Sequence, residues 1–279
     1  MHRTRLRGRG MDYRESRHYQ PGDDIRTMDW RVTARAGHPH VKRFDEERER
    51  PVMVLADFAP SMFFASQGVF KSVLAARLAA LIGWATIAHG DRIGALLSGA
   101  AAGAEGHLEL APAGGRRGQL RLIRALVAAG DPSAALARPA APAGTLGRAL
   151  GRLRRVVRPG SLIFLLSDFH GSDAESARHL RRLAQHNDLT AIWIADPLEL
   201  APPPPGRYPV SDGHGRGLLE TISSSGRARY AAACQALQQR VMALSGDLGI
   251  PLLRCTTDAD PVAQLAAGLG SGRIPWGSR

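Results

Sequence analysis

Two strand-like apolar runs in this chain end in carboxylates: Leu55-Ala56 leads into Asp57, and Leu166-Ser167 into Asp168. Ser61 follows Asp57 at i+4, and Thr145 opens a predicted helix. Two carboxylates and two hydroxyls are hard oxygen donors. Such a set suits Mg²⁺, which takes few protein ligands, keeps several waters and wants near-octahedral geometry. A coordination position left to water can accept a carboxylate from a partner protein instead, so the chemistry on offer is metal-bridged docking. Asp57, Ser61, Thr145 and Asp168 are the candidate metal ligands. Each aspartate alone also has a plainer reading, because an Asp just beyond a strand commonly caps a helix or stabilises a turn. Metal-bridged docking requires the two carboxylates to meet at one rim and stay open to solvent.

The elements that must position them alternate along the chain. Pro51-Val-Met-Val-Leu-Ala56 and Ser161-Leu-Ile-Phe-Leu-Leu-Ser167 are short and almost wholly apolar, as strands buried on both faces of a parallel sheet are. Arg92 to Leu97, Leu189 to Ala195 and Ile250 to Cys255 read as further strands, and Gly106 to Ala111 alternates like an edge strand. Apolar residues at helical spacing mark 69–89, 119–129, 145–157, 174–186, 227–244 and 260–269. This alternation predicts an α/β fold with a doubly wound, mainly parallel sheet. Ligands of such sheets sit beyond the carboxyl ends of the central strands, where Asp57 and Asp168 would lie. Residues 1–50 read as an N-terminal arm and 51–279 as the α/β domain. An edge insertion at 202–225 follows the stiff Pro202 to Pro205 linker and holds a small hairpin between Tyr208 and Ile222. Asp131 to Gly144, rich in Ala and Pro, reads as a loop.

The arm carries Tyr19-Gln-Pro-Gly-Asp-Asp-Ile-Arg-Thr-Met-Asp-Trp-Arg-Val-Thr-Ala-Arg35, a block of turn formers, acids, arginines and one tryptophan. Val41-Lys-Arg-Phe-Asp-Glu-Glu-Arg-Glu49 and Asp57 to Met62 follow. These three pieces resemble the hallmark of the domain-of-unknown-function family 58. The likeness continues through Gly90-Asp91-Arg92-Ile93-Gly94, Ser167-Asp168-Phe169, Arg229-Tyr230-Ala231 and Thr256-Thr257-Asp258, nearly the whole chain. The resemblance implies a sheet of von Willebrand A (Rossmann-like) type and a MoxR-type AAA+ ATPase as partner. It also implies a metal-ion-dependent adhesion site of the pattern Asp-x-Ser-x-Ser, then Thr, then Asp. That pattern maps onto Asp57, Ala59, Ser61, Thr145 and Asp168. Ala59 stands where the first serine is expected, so one hydroxyl ligand is missing and the site is degenerate. Leu146 also follows Thr145 where many family members have Asp. In the hallmark, Asp23, Asp24 and Asp29 are placed to pair with Arg26, Arg31 and Arg35, and Trp30 to anchor the segment in the core. Such a knot either braces the arm against the sheet or forms a recognition surface for the ATPase.

At 279 residues the chain can bury a sizeable core. Its formal charge of +12 comes almost wholly from arginine, since Lys42 and Lys71 are the only lysines. An arginine excess admits a nucleic-acid or anionic-surface partner as the alternative function. Aromatic residues are not interleaved with the arginines, however, so no base-stacking platform is visible. Cys234 and Cys255 show neither metal-ligand nor redox spacing, which fits a reducing compartment. The basic N-terminus lacks an apolar run behind it, and Val73 to Ala88 is interrupted by Arg77, so the expectation is a cytoplasmic protein without membrane insertion. No phosphate-binding glycine loop, dinucleotide fingerprint or nucleophile elbow occurs. The expectation is a non-catalytic adaptor with no organic cofactor, with a metal-dependent hydrolase using the same aspartates as the second alternative.

Overall fold

The computed structural model describes residues 11–46, 50–99, 106–133, 144–211 and 215–270. Most of the loop predicted at 131–144 lies outside the described residues. The chain divides into two units, Met1–Glu49 and Arg50–Arg279.

In the first unit, strand β1 (Met11–His18) pairs antiparallel with β2 (His40–Glu46). A 3₁₀ turn at Ile25–Thr27 and helix α1 (Trp30–Ala36) lie between them. The hallmark acids do not pair with Arg26, Arg31 and Arg35, as their spacing had suggested. Asp24 accepts from the Arg26 backbone N–H and Asp29 from those of Arg31 and Val32, so both cap helical turns. Asp29 also accepts from the Ser16 hydroxyl at 2.7 Å, and Asp23 takes a two-pronged contact from Arg17. Trp30 is 68% exposed, so it does not anchor a core. It is the first residue of α1 and follows the capping Asp29.

The second unit opens with β3 (Pro51–Asp57), α2 (Lys71–Ala88), β4 (Arg92–Ser98), β5 (His107–Ala113) and α3 (Gly115–Ala129). It continues through α4 (Thr145–Val156), β6 (Leu162–Ser167), α5 (Ala174–Ala184), β7 (Asp188–Ala195) and the single turn α6 (Pro197–Leu200). A separate two-stranded hairpin, β8 (Arg207–Ser211) and β9 (Arg216–Glu220), precedes α7 (Ser224–Gly246), β10 (Leu252–Thr256) and α8 (Pro261–Gly270). Six strands form one sheet in the order β10-β7-β6-β3-β4-β5, parallel except for the antiparallel edge pair β4–β5. Counted within this unit from the β5 edge, the order is 3-2-1-4-5-6, and the chain's direction of winding reverses between β3 and β6.

The continuous apolar runs are explained by burial on both faces. Along β3, Val52, Val54 and Ala56 pack with Leu74, Leu78 and Ile82 of α2 and Leu122 of α3. Met53 and Leu55 point the other way, joining Leu146, Leu150 and Leu153 of α4 and Leu180 of α5. Each such leucine contributes about 1.5–3 kcal/mol by leaving water. The 18-residue α2 is long and apolar enough for a membrane span, contrary to the sequence reading, but half of it is buried inside the unit.

Candidate functional site

Ala56 of β3 stands opposite Leu166 of β6, which brings Asp57 level with Ser167 and beside Asp168 at the carboxyl edge of the sheet. The Ser167 hydroxyl donates to Asp57 Oδ2 at 2.9 Å, and the Ala59 N–H to Oδ1 at 3.0 Å. Asp168 Oδ1 accepts from the His170 N–H at 3.0 Å. Phe169, between them, is the sole non-glycine residue with positive φ among the described residues, at 58°. That left-handed turn sends its ring into the core while the chain wraps over the Asp168 carboxylate.

The aspartates thus converge at the switch point of the sheet, but they are not open to solvent. Asp57 is 6% exposed and Asp168 1%. Lys71, the first residue of α2 and also 1% exposed, reaches Asp168 Oδ2 at 2.9 Å and Glu199 Oε1 at 2.5 Å. Glu199 Oε1 also meets His170 Nε2 at 3.0 Å, and its other oxygen accepts from the Asp196 N–H in the capping box of α6. A buried cation therefore bridges the ends of β6 and β7.

The electrostatics follow from this layout. Burial, then the neighbouring Asp168 charge, pushes the Asp57 carboxyl up to about 6. Burial acts upward on Asp168 too, yet Lys71 and His170 outweigh it and hold Asp168 below its ordinary value. Glu199 is likewise depressed, burial being outweighed by His170 and Lys71. Burial alone would favour a neutral Lys71, but Asp168 and Glu199 keep its ammonium pKa raised. His170 is raised chiefly by its hydrogen bond to Glu199.

No hydrogen bond joins the four predicted ligands as a set. Ser61 is exposed in the 3₁₀ turn Pro60–Met62, and the half-buried Thr145 hydroxyl accepts from the Arg148 guanidinium. Neither donates to Asp57 or Asp168, whose partners are Ala59, Ser167, Lys71 and His170. Mg²⁺ does not fit these residues as arranged: Ala59 offers no hydroxyl, and the Lys71 ammonium lies against Asp168. A second ion would repel that ammonium in a buried setting where charge is weakly screened. Asp168, His170 and Glu199 place their ligand atoms within 4.8 Å of one another, but Lys71 already holds two of the three.

Around this core the loops are cross-tied. Asp196, at the end of β7, accepts from the Ser66 N–H and hydroxyl at 2.7 and 2.5 Å and from the Thr257 hydroxyl at 2.9 Å. A Cβ on Gly68 would lie 2.1 Å from the Thr257 carbonyl oxygen, so only glycine permits that approach. Phe64 and Phe70 stay 42% and 39% exposed beside an open depression of about 420 Å³ lined by Ala65 to Phe70 and Val73.

A family described as "Protein of unknown function DUF58" matches residues 15–241. The chain belongs to the DUF58 family. This DUF58 chain is 34% identical over 268 residues to the uncharacterized protein Rv1480 of Mycobacterium tuberculosis, covering 95% of this chain and 81% of that one. Among solved structures, it is similar to the conserved hypothetical protein BatB from Bacteroides thetaiotaomicron at 14% identity and TM-score 0.47, over 80% of this chain and 98% of that one. A von Willebrand factor type A protein from Catenulispora acidiphila shows 10% identity and TM-score 0.37, over 84% of this chain and 43% of that one. The strand order described above gives the DUF58 chain the von Willebrand A-like, Rossmann-type architecture that the hallmark residues implied.

Sequence reasoning missed Lys71, His170, Asp196 and Glu199. One signal was present for Lys71. It is one of two lysines among 37 basic residues, and it opens an apolar helix.

Proposed function

We propose that this protein is a non-catalytic, cytoplasmic, protein-binding adaptor of von Willebrand A type that works beside a MoxR-type AAA+ ATPase in assembling or activating protein complexes. The DUF58 resemblance supports the ATPase as partner. The observation that carries docking is the build of the crest. Loops after β3, β6, β7 and β10 are tied to each other through Lys71, Asp196 and Thr257, yet Phe64, Phe70 and His170 remain exposed on them. Aromatic residues, Phe among them, are enriched at the cores of protein interfaces. An Asp57 near 6 beside an ionised Asp168 has the split of an acid–base pair. Both groups are buried and hydrogen-bonded within the protein, which favours a structural role over a hydrolase. Burial also pushes the Cys255 thiol up to about 12, unlike a nucleophilic cysteine.

The test is capture of the MoxR-type ATPase of the same host on the immobilised chain. The Phe64→Asp/Phe70→Asp double variant is expected to bind at least about tenfold more weakly while its far-ultraviolet circular dichroism stays that of wild type. Equal capture by the double variant contradicts a crest interface.

A further inference from the structure

We infer that the Lys71 ammonium is a built-in replacement for the divalent cation at the switch point, so that this crest assembles without metal. It concerns the interior of the crest and stands whether or not an ATPase is the partner. The position is the first ground: Nζ bridges Asp168 and Glu199 at 2.9 and 2.5 Å, at the strand end where Ser167 bonds the buried Asp57. The second is local misfit. Lys71 is the first residue of α2, whose preceding Phe70 gives no side-chain cap, so its charge sits at the positive end of the helix dipole. A lysine there is locally unfavourable and is held by the carboxylates across the crest; such broken local rules concentrate at sites with a role. The third is the ligand set. Ala59 lacks the hydroxyl that a metal would use, and in the cluster of Asp168, His170 and Glu199 the ammonium already holds both carboxylates. One internal cation neutralises what a dication would otherwise bind.

The experiment uses the full chain, with thermal unfolding and amine acylation read by mass spectrometry. Lys42 and Lys71 are the only lysines, so each site is read separately. The wild-type midpoint is expected to be the same in chelator and in excess Mg²⁺ or Mn²⁺. Lys71 is expected to stay unacylated in both while the exposed Lys42 reacts. A metal-induced rise in midpoint that Asp168→Asn abolishes, or metal-induced acylation of Lys71, overturns the inference. Lys71→Met is expected to lose roughly 10 °C in chelator and to gain a Mn²⁺-dependent rise that wild type lacks. A folded Lys71→Met chain that ignores Mn²⁺, or that matches wild type in chelator, overturns it too. If Lys71→Met does not fold, the two wild-type readouts decide.

Discussion

At the scale of single residues, Asp57 titrates against its surroundings, its carboxyl lifted by burial and by Asp168 from an ordinary 3.8 to about 6. The folded chain then holds a proton between roughly pH 4 and 6 that the unfolded chain has released. This group's contribution is fully present below the unfolded value and is lost as pH rises through about 6. Ionised Asp57 at neutral pH therefore costs up to about 3 kcal/mol. Asp57→Asn, measured by denaturant unfolding, is expected to be at least as stable as wild type at pH 7.5, with the advantage disappearing near pH 4. A difference independent of pH contradicts the assignment. Asp168→Asn should behave oppositely, losing about 3–5 kcal/mol at neutral pH because Lys71 is left with one buried partner fewer. Trp30→Ala should change stability by less than about 0.5 kcal/mol, since the indole is exposed; a loss of several kcal/mol would mean that the ring is buried after all.

At the scale of elements, the strands were legible because their pattern is dictated by burial. Val52 to Asp57 is buried residue after residue, so the run reads as apolar without alternation. The partial apolar–polar alternation of β5 in sequence fits its place at the end of the sheet order among the described residues. Gly94 of β4 shows what periodicity hides. A Cβ there would lie 2.6 Å from Met53 Sδ and 2.8 Å from the Leu110 carbonyl, at the irregularity where β5 joins. Gly94→Ala is expected to cost about 1–3 kcal/mol by crowding this edge, and an unchanged midpoint contradicts it. The site was less legible for a related reason. Asp57 and Asp168 announce themselves at strand ends, whereas Lys71 and Glu199 reach them only through the docking of α2 and α6, a tertiary event that leaves no local spacing. Thr145 and Ser61 enter by motif order alone; the Thr145 hydroxyl accepts from Arg148, and Ser61 is exposed. Asp196→Ala should release the Ser66 and Thr257 ties, costing about 2–4 kcal/mol. Hydrogen exchange should rise at 63–70 first, and uniform exchange would contradict the tie.

At the scale of the whole molecule, the +12 charge and the crest point to different partners. Charge-driven nucleic-acid binding falls steeply with salt and ignores the aromatic crest. Docking through Phe64 and Phe70 depends on those two rings and only weakly on salt. The order 3-2-1-4-5-6 places both aspartates at the switch point, where open α/β sheets put ligands. In this chain that position is filled from within, and the surface on offer is the ring of loops above it. The most direct test is the affinity of the purified chain for the MoxR-type ATPase, measured nucleotide-free with and without chelator, for wild type and for Phe64→Asp/Phe70→Asp. The account predicts an affinity that chelation leaves unchanged and the double variant weakens at least about tenfold. Binding lost on chelation, or retained by the double variant, would contradict it.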